Sequence, residues 1–275
     1  MSKVILITGC STGLGRDLAN VALERGYAVV ATARQVENLS ELPEENCLKL
    51  SLDVTDDAQI EDTIKSALEK FGRLDVLVNN AGFGMSGAIE EVTDEQAHLV
   101  FETNVFGLLK VQRVVLPHFR QQRSGHIINL SSIGGIAAVP GGGIYCATKF
   151  AVEGLSEALA QEVAPLGIKV TIVEPGPFRT DFLGRSMHKA PHEIQDYVQT
   201  HELRRRMAAG SGKQAGDPVR AAHAMLDTVE MEHPPLRLPL GSITVDRWRK
   251  KVEQLGQAAD QWEQVARGAD FPAGE

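Results

Sequence analysis

Cysteine is scarce in this 275-residue chain, which holds three: Cys10, Cys47 and Cys146. An odd, widely spaced set gives neither a disulfide framework nor a Cys-x-x-Cys metal or redox pair, and it suits a reducing cytoplasm. Long apolar runs are also missing. Val4-Ile5-Leu6-Ile7 is too short for the core of a signal peptide and stops at Thr8-Gly9. The Gly-rich stretch from Ile133 to Ile144 is broken by Pro140, and spanning a bilayer takes about 20 apolar residues. No basic block is present either: 28 Lys+Arg stand against 36 Asp+Glu, a net charge of −8. That balance argues against binding a nucleic-acid backbone and against a polybasic membrane anchor. With 43% apolar and 23% charged residues, the chain is neither disordered nor fibrous. A soluble, cytoplasmic protein with a small-molecule partner is expected.

What is present alternates. Short runs of Val, Ile and Leu at Val4–Thr8, Ala28–Ala33, Leu48–Leu52, Val76–Asn79, His126–Leu130 and Lys169–Val173 read as strands buried on both faces, as in a parallel sheet. Between them lie helical stretches, Gly13–Arg25, Asp56–Phe71, Asp94–Gln122 and Tyr145–Ala164. In the second, Ile60, Ile64, Ala67, Leu68 and Phe71 recur at three and four, the period of one buried helix face. Thr55 or Asp56 is placed to cap it, and Gly72 to end it. The alternation predicts an α/β doubly wound, Rossmann-type parallel sheet of about seven strands, with helices on both faces. Residues 181–216 break the pattern and read as a helical cover outside the sheet. Asp217-Pro218 then opens a helix, followed by a strand at Leu236–Leu240 and a C-terminal helix at Val245–Ala266. No linker interrupts the chain, so residues 1–275 are expected to form a single domain. Its cofactor-binding part is about 1–180, and the remaining strand and helices fall in 217–270.

Thr8-Gly9-Cys10-Ser11-Thr12-Gly13-Leu14-Gly15 joins the first strand to the first helix. Free N–H groups at a helix N-terminus favour a dinucleotide pyrophosphate, and glycines let the backbone approach it. A Gly-rich turn alone is mere punctuation; its place between a first strand and an amphipathic helix is what points to a cofactor. The end of the second strand reads the adenosine ribose. Thr32-Ala33-Arg34 has no acid nearby, and a guanidinium forks onto a 2′-phosphate. NADP(H) is therefore expected ahead of NAD(H), with Arg34, or less directly Arg16, as its cation.

Tyr145 and Lys149 stand at i and i+4, on one helix face. An ammonium near a phenol favours the phenolate and so lowers the phenol pKa, fitting it for general acid–base work. Thirteen residues before Tyr145, a strand ends in Ser131-Ser132. Ligands of open sheets bind beyond such carboxyl ends, where a hydroxyl can stabilise a developing oxyanion.

The spacing Thr-Gly-x-x-x-Gly-x-Gly, with Tyr-x-x-x-Lys and the serine thirteen residues earlier, resembles the short-chain dehydrogenase/reductase family over residues 3 to about 180. The resemblance implies a catalytic tetrad of Asn104, Ser132, Tyr145 and Lys149, with Asn104 holding a water that links Lys149 to solvent. It implies cofactor contacts from Gly9, Ser11, Thr12, Gly13, Leu14, Gly15, Asp53, Val54, Asn80, Ala81, Gly82, Pro175, Gly176 and Thr180, and from Tyr145 and Lys149 themselves. It implies too that the long helices pair across a two-fold axis, giving a homodimer or homotetramer. The expected reaction is hydride transfer between a nicotinamide and a carbonyl or alcohol, on an apolar substrate. A 3-oxoacyl-thioester ketoreductase and a non-catalytic NADP(H) sensor are the alternatives.

Other signals carry less. His188 and His192 have metal spacing, but Pro191 breaks the helix there and no metal is expected. Arg204-Arg205-Arg206 is read as a solvated face, with a clamp on an anionic substrate as the other reading. Trp248 and Trp262 are expected to pack within the chain or at a subunit interface.

Overall fold

The structure, a computed structural model, describes residues 2–271. Four apolar residues in a row form β1 (Val4–Ile7), and their side chains alternate between two cores. Ile5 and Ile7 enter one cluster and Val4 and Leu6 the other. The same alternation runs through β2 (Ala28–Ala33), β4 (Val76–Asn79) and β6 (Gly125–Leu130). This explains why these strands are mostly apolar on both sides: each has two faces to bury. With β3 (Cys47–Ser51), β7 (Ile168–Pro175) and β9 (Arg237–Leu240) they make a parallel seven-stranded sheet in the order β3-β2-β1-β4-β6-β7-β9. Strand order reverses between β1 and β4, which opens a crevice at the carboxyl ends.

One face of the sheet is covered by α1 (Gly13–Glu24) and α7 (Pro218–Glu230), the other by α2 (Asp57–Phe71), α4 (Leu108–Gln122) and α5 (Gly143–Val163). Local chemistry sets the boundaries. The Asp56 carboxylate accepts from Gln59 N at 3.1 Å to start α2, and Gly72 ends it in the left-handed conformation. Asp217 accepts from Val219 N at 2.9 Å, with Pro218 at the first helical position of α7.

Three expectations need correction. The stretch Asp94–Gln122 is not one uniform helix: α3 (Asp94–Phe101) passes through a π-helical turn, Glu102–Gly107, before α4. β3 is an edge strand, and Ser51 is exposed where full burial was expected. The cover at 181–216 is only partly helical. It holds α6 (Val198–Ala209), but also β8 (Met187–Lys189), which pairs parallel with β5 (Gly84–Ser86) as a separate two-stranded ribbon. The chain ends in α8 (Ser242–Arg267), where Trp248 is largely covered but Trp262 is 57% exposed. No helix among the described residues is long and apolar enough to cross a membrane.

His126 on β6 is a buried histidine, 4% exposed, with Nε2 2.9 Å from Thr171 Oγ1. Burial, aided by Lys169 and Lys3, pushes its pKa down to about 4. Between that value and the ordinary 6.5 the unfolded chain binds a proton that the folded chain does not, so stability falls as pH falls through the window. The loss is expected to be about 3 kcal/mol by linkage. Denaturant midpoints at pH 7 and pH 4 check it: His126→Gln should lose less stability than the wild type over that interval. Parallel losses would remove His126 from the account.

Candidate active site

A cavity of about 1190 Å³ opens at the carboxyl ends of the strands. Its floor is the loop between β1 and α1. Gly13 adopts φ +60°, a conformation that side chains disfavour, and a Cβ on Gly15 would lie 2.4 Å from both Gly9 O and Asn80 Nδ2. The loop is tied to the strand beside it. Asn80 Nδ2 donates to Thr8 O and Gly9 O at 2.8 and 2.9 Å, while Thr8 Oγ1 accepts from Asn80 N and Ala81 N at 3.0 Å each. The Thr12 side chain does not cap α1, and the first turn of α1 has no acid. Its N–H groups and dipole therefore face the cavity uncompensated, which suits a pyrophosphate. Gly9, Ser11, Thr12, Gly13 and Leu14 line the cavity; Gly15 lies beneath it, packed on Asn80.

Arg34, Asp53, Val54, Ala81 and Gly82, the residues expected near an adenosine, all lie on the cavity wall. Asp53 Oδ1 accepts from Thr55 N and Thr55 Oγ1 at 2.9 and 2.7 Å, which fixes the carboxylate. Arg16 is not among these wall residues. Its guanidinium is held by Ser11 O, with Nε at 3.0 Å, and by Glu41 at 2.6 Å. Pro175 at the end of β7, with Gly176 and Thr180 beyond it, also lines the cavity, and Gly176 N donates to Leu240 O at 3.0 Å.

The residues expected to react lie around β6 and α5. Ser132, just past β6, accepts from Gly134 N at 3.0 Å through Oγ, so its own hydroxyl proton is free to donate elsewhere. Tyr145 stands in the first turn of α5, with the ring of Phe182 5.6 Å away. Lys149 is 7% exposed, lies 5.9 Å from the centre of the Tyr145 ring, and donates from Nζ to Leu130 O at 2.7 Å. Asn104 lies in the π-helical turn, a distortion common at functional sites. Its side chain is committed: Oδ1 accepts from Phe83 N at 3.0 Å, and Nδ2 donates to Phe83 O at 2.9 Å and Thr148 Oγ1 at 3.1 Å.

The electrostatics correct one expectation. Burial pushes the Tyr145 phenol above its ordinary range, against a weaker opposite pull from the Ser132 hydroxyl. Burial likewise pushes Lys149 down to about 8, and Glu153 partly restores it. Desolvation outweighs the attraction of ammonium for phenolate, because both groups sit where water is largely excluded. The resting pair is a neutral phenol beside an ammonium that is easily deprotonated.

Several supports carry no mark in the sequence. Asn129 Oδ1 accepts from Asn79 Nδ2 at 2.9 Å and Gln112 Nε2 at 3.0 Å, and its Nδ2 donates to Ser156 Oγ at 2.8 Å. This buried network pins β4, β6, α4 and α5 together beneath Ser132 and Lys149. Arg237 on β9 gathers Glu174 at 2.9 Å, Glu157 at 2.7 Å and Glu153 behind the same helix. Ser131 is buried beside Glu153. Arg204 donates to Ser86 Oγ and O at 2.7 and 2.9 Å and pairs with the buried Glu91, so it braces the cover; Arg205 and Arg206 pair with Glu193 and Glu202. His188 stacks on Phe83 with ring centres 4.5 Å apart.

Comparison with known proteins agrees with this layout. The family described as short chain dehydrogenase matches residues 3–190. An oxidoreductase named BOA17, from Botryotinia fuckeliana, is 40% identical over 271 residues, covering 97% of this chain and 98% of its own. A crystal structure of a short-chain dehydrogenase from Streptomyces avermitilis superposes with a TM-score of 0.92 at 41% identity, over 98% of this chain and 99% of that one. ElxO with NADP bound superposes with a TM-score of 0.73 at 30% identity, over 86% of this chain and 96% of that one. A glycine loop at the turn from the first strand to the first helix, a parallel sheet that reverses beside it, and a match running through most of both make this chain a member of the short-chain dehydrogenase family of oxidoreductases.

Proposed function

We propose that this chain is an NADP(H)-dependent oxidoreductase that interconverts a ketone or aldehyde and the corresponding alcohol. The observation that carries the reading is the convergence of Ser132, Tyr145 and Lys149 on the cavity whose far end is the glycine loop and Arg34. When bound, the nicotinamide supplies or removes the hydride at the carbonyl carbon. The chain's own groups do the rest. Ser132 Oγ donates a hydrogen bond to the carbonyl oxygen and stabilises charge developing there. Tyr145 Oη gives that oxygen its proton. Lys149 binds ribose hydroxyls with the N–H groups left over from Leu130 O, and its charge favours the phenolate once the proton has gone. Asn104 holds the segment around Phe83 that closes the site, and its backbone holds the water linking Lys149 to solvent.

Met85, Val139, Phe182, Leu183 and Met187 give the remaining wall an apolar character, which supports an apolar carbonyl compound as the substrate class. The exposed Arg34 supports NADP(H) over NAD(H), and ElxO, a relative with NADP bound, supports the same choice. The test is titration of both reduced cofactors, read by their fluorescence, followed by oxidation of each with a panel of ketones and aldehydes. Arg34→Ala is expected to weaken NADPH binding roughly ten- to hundredfold, the worth of a charge-assisted contact, and to leave NADH within about twofold. An NADPH preference that survives the substitution would take Arg34 out of the argument. Cofactor binding with no turnover of any carbonyl would favour the sensor reading instead.

A further inference from the structure

The loop at 9–15 has no cation of its own directed at the cavity, since Arg16 is held by Ser11 O and Glu41. The cover supplies one. Arg185 donates from its guanidinium to Thr12 Oγ1 at 3.0 Å, across 173 residues of sequence. Among the described residues no carboxylate lies within ion-pair distance of it. The other arginines of the cover differ: Arg204, Arg205 and Arg206 each have an acid partner, Glu91, Glu193 and Glu202.

The backbone on either side of Arg185 is held in place. Gly84 N donates to Ser186 O at 2.8 Å, and Ala190 N to Ser86 O at 2.8 Å, which fastens the cover to the β5–β8 ribbon. A Cβ on Gly84 would lie 2.5 Å from Met187 Cε, so the ribbon is closely packed. On the other side, Thr180 rests on Gly13. Arg185, Thr12 and Gly13 all line the same cavity.

We infer that Arg185 is a pyrophosphate-binding residue: its guanidinium closes over the glycine loop from the cover and grips the dinucleotide beside Thr12. The inference rests on the dinucleotide reading above. A guanidinium offers two parallel N–H donors to phosphate oxygens, whereas the Thr12 hydroxyl occupies one of them. The anion is therefore the better partner, and the cover residue and the helix terminus hold it from two sides.

Kd values for NADPH and for NADH, measured by cofactor fluorescence on the full chain, test this. Arg185→Ala is expected to raise both by a similar factor, roughly ten- to hundredfold, while Arg185→Lys retains part of the affinity. Because the side chain is exposed, both variants should melt with the wild type. Wild-type Kd values in Arg185→Ala would overturn the inference and leave the cofactor reading intact. A loss confined to NADPH would move the guanidinium to the 2′-phosphate and overturn its assignment to the pyrophosphate. A wild-type chain that binds neither dinucleotide would instead sink the cofactor reading itself.

Discussion

Tyr145→Phe is expected to cut turnover by roughly 10²- to 10⁴-fold, the range a positioned general acid contributes, with NADPH affinity near that of the wild type. The substitution removes one oxygen and keeps the ring, so the packing against Phe182 and the first turn of α5 survive. The raised pKa of the phenol does not weaken this assignment; it sets the direction. Burial keeps Tyr145 protonated at neutral pH, which is the form that donates to a carbonyl oxygen. Reduction therefore starts from the resting state, whereas alcohol oxidation needs the phenolate first and should gain rate as pH rises. Equilibrium cofactor binding alongside kcat checks the split. A variant that keeps most of its kcat would mean that another group moves the proton.

Lys149→Met is expected to be as damaging to turnover and also to weaken cofactor binding, by roughly tenfold, because two jobs are lost at once. In the proposed function the ammonium binds ribose hydroxyls and supplies the charge that favours phenolate. Its pH dependence has a definite sign. With a pKa of about 8 in the free protein, Lys149 is charged below that value and neutral above it. The specificity constant for the cofactor, which reports the free protein, should be level on the acid side and fall as pH rises through about 8. Lys149→Arg is not expected to rescue it: a planar, delocalised guanidinium does not reproduce the compact charge that Nζ holds 2.7 Å from Leu130 O. A profile unchanged from pH 6 to 10 would contradict the assigned role.

Strong local signals made much of this fold legible. β1, β2 and β4 are mostly apolar on both sides because both faces are buried, and of the two cap candidates Thr55 and Asp56 it is Asp56 that caps α2, while Asp217 opens α7. The proposed tetrad is legible through the family resemblance, with Tyr145 and Lys149 on one helix and Ser132 two residues past β6. The missed parts are those created by tertiary contact. β5 and β8 have three residues each and pair over about a hundred positions, too short and too distant for any periodicity to reveal. The π-helical turn holds Asn104, whose side chain bonds the Phe83 backbone 21 residues away, a contact no local pattern reveals. Arg185 reads as one charge among many until the ribbon sets it over Thr12. The direction of the Tyr145 shift was missed for the same reason: i, i+4 spacing reveals the neighbouring charge, but not the water that folding removes from both groups.

The central claim is that this cavity moves a hydride to a carbonyl carbon while Tyr145 supplies the proton. The most direct measurement uses NADPH carrying deuterium at the transferable position, with aliphatic ketones, aromatic ketones and 3-oxo thioesters as acceptors and mass spectrometry of the products. The wild type is predicted to yield an alcohol with one deuterium on the former carbonyl carbon, and Tyr145→Phe to yield almost none in the same time. Tight NADPH binding with no label in any alcohol, or equal labelling by the two proteins, would contradict the account.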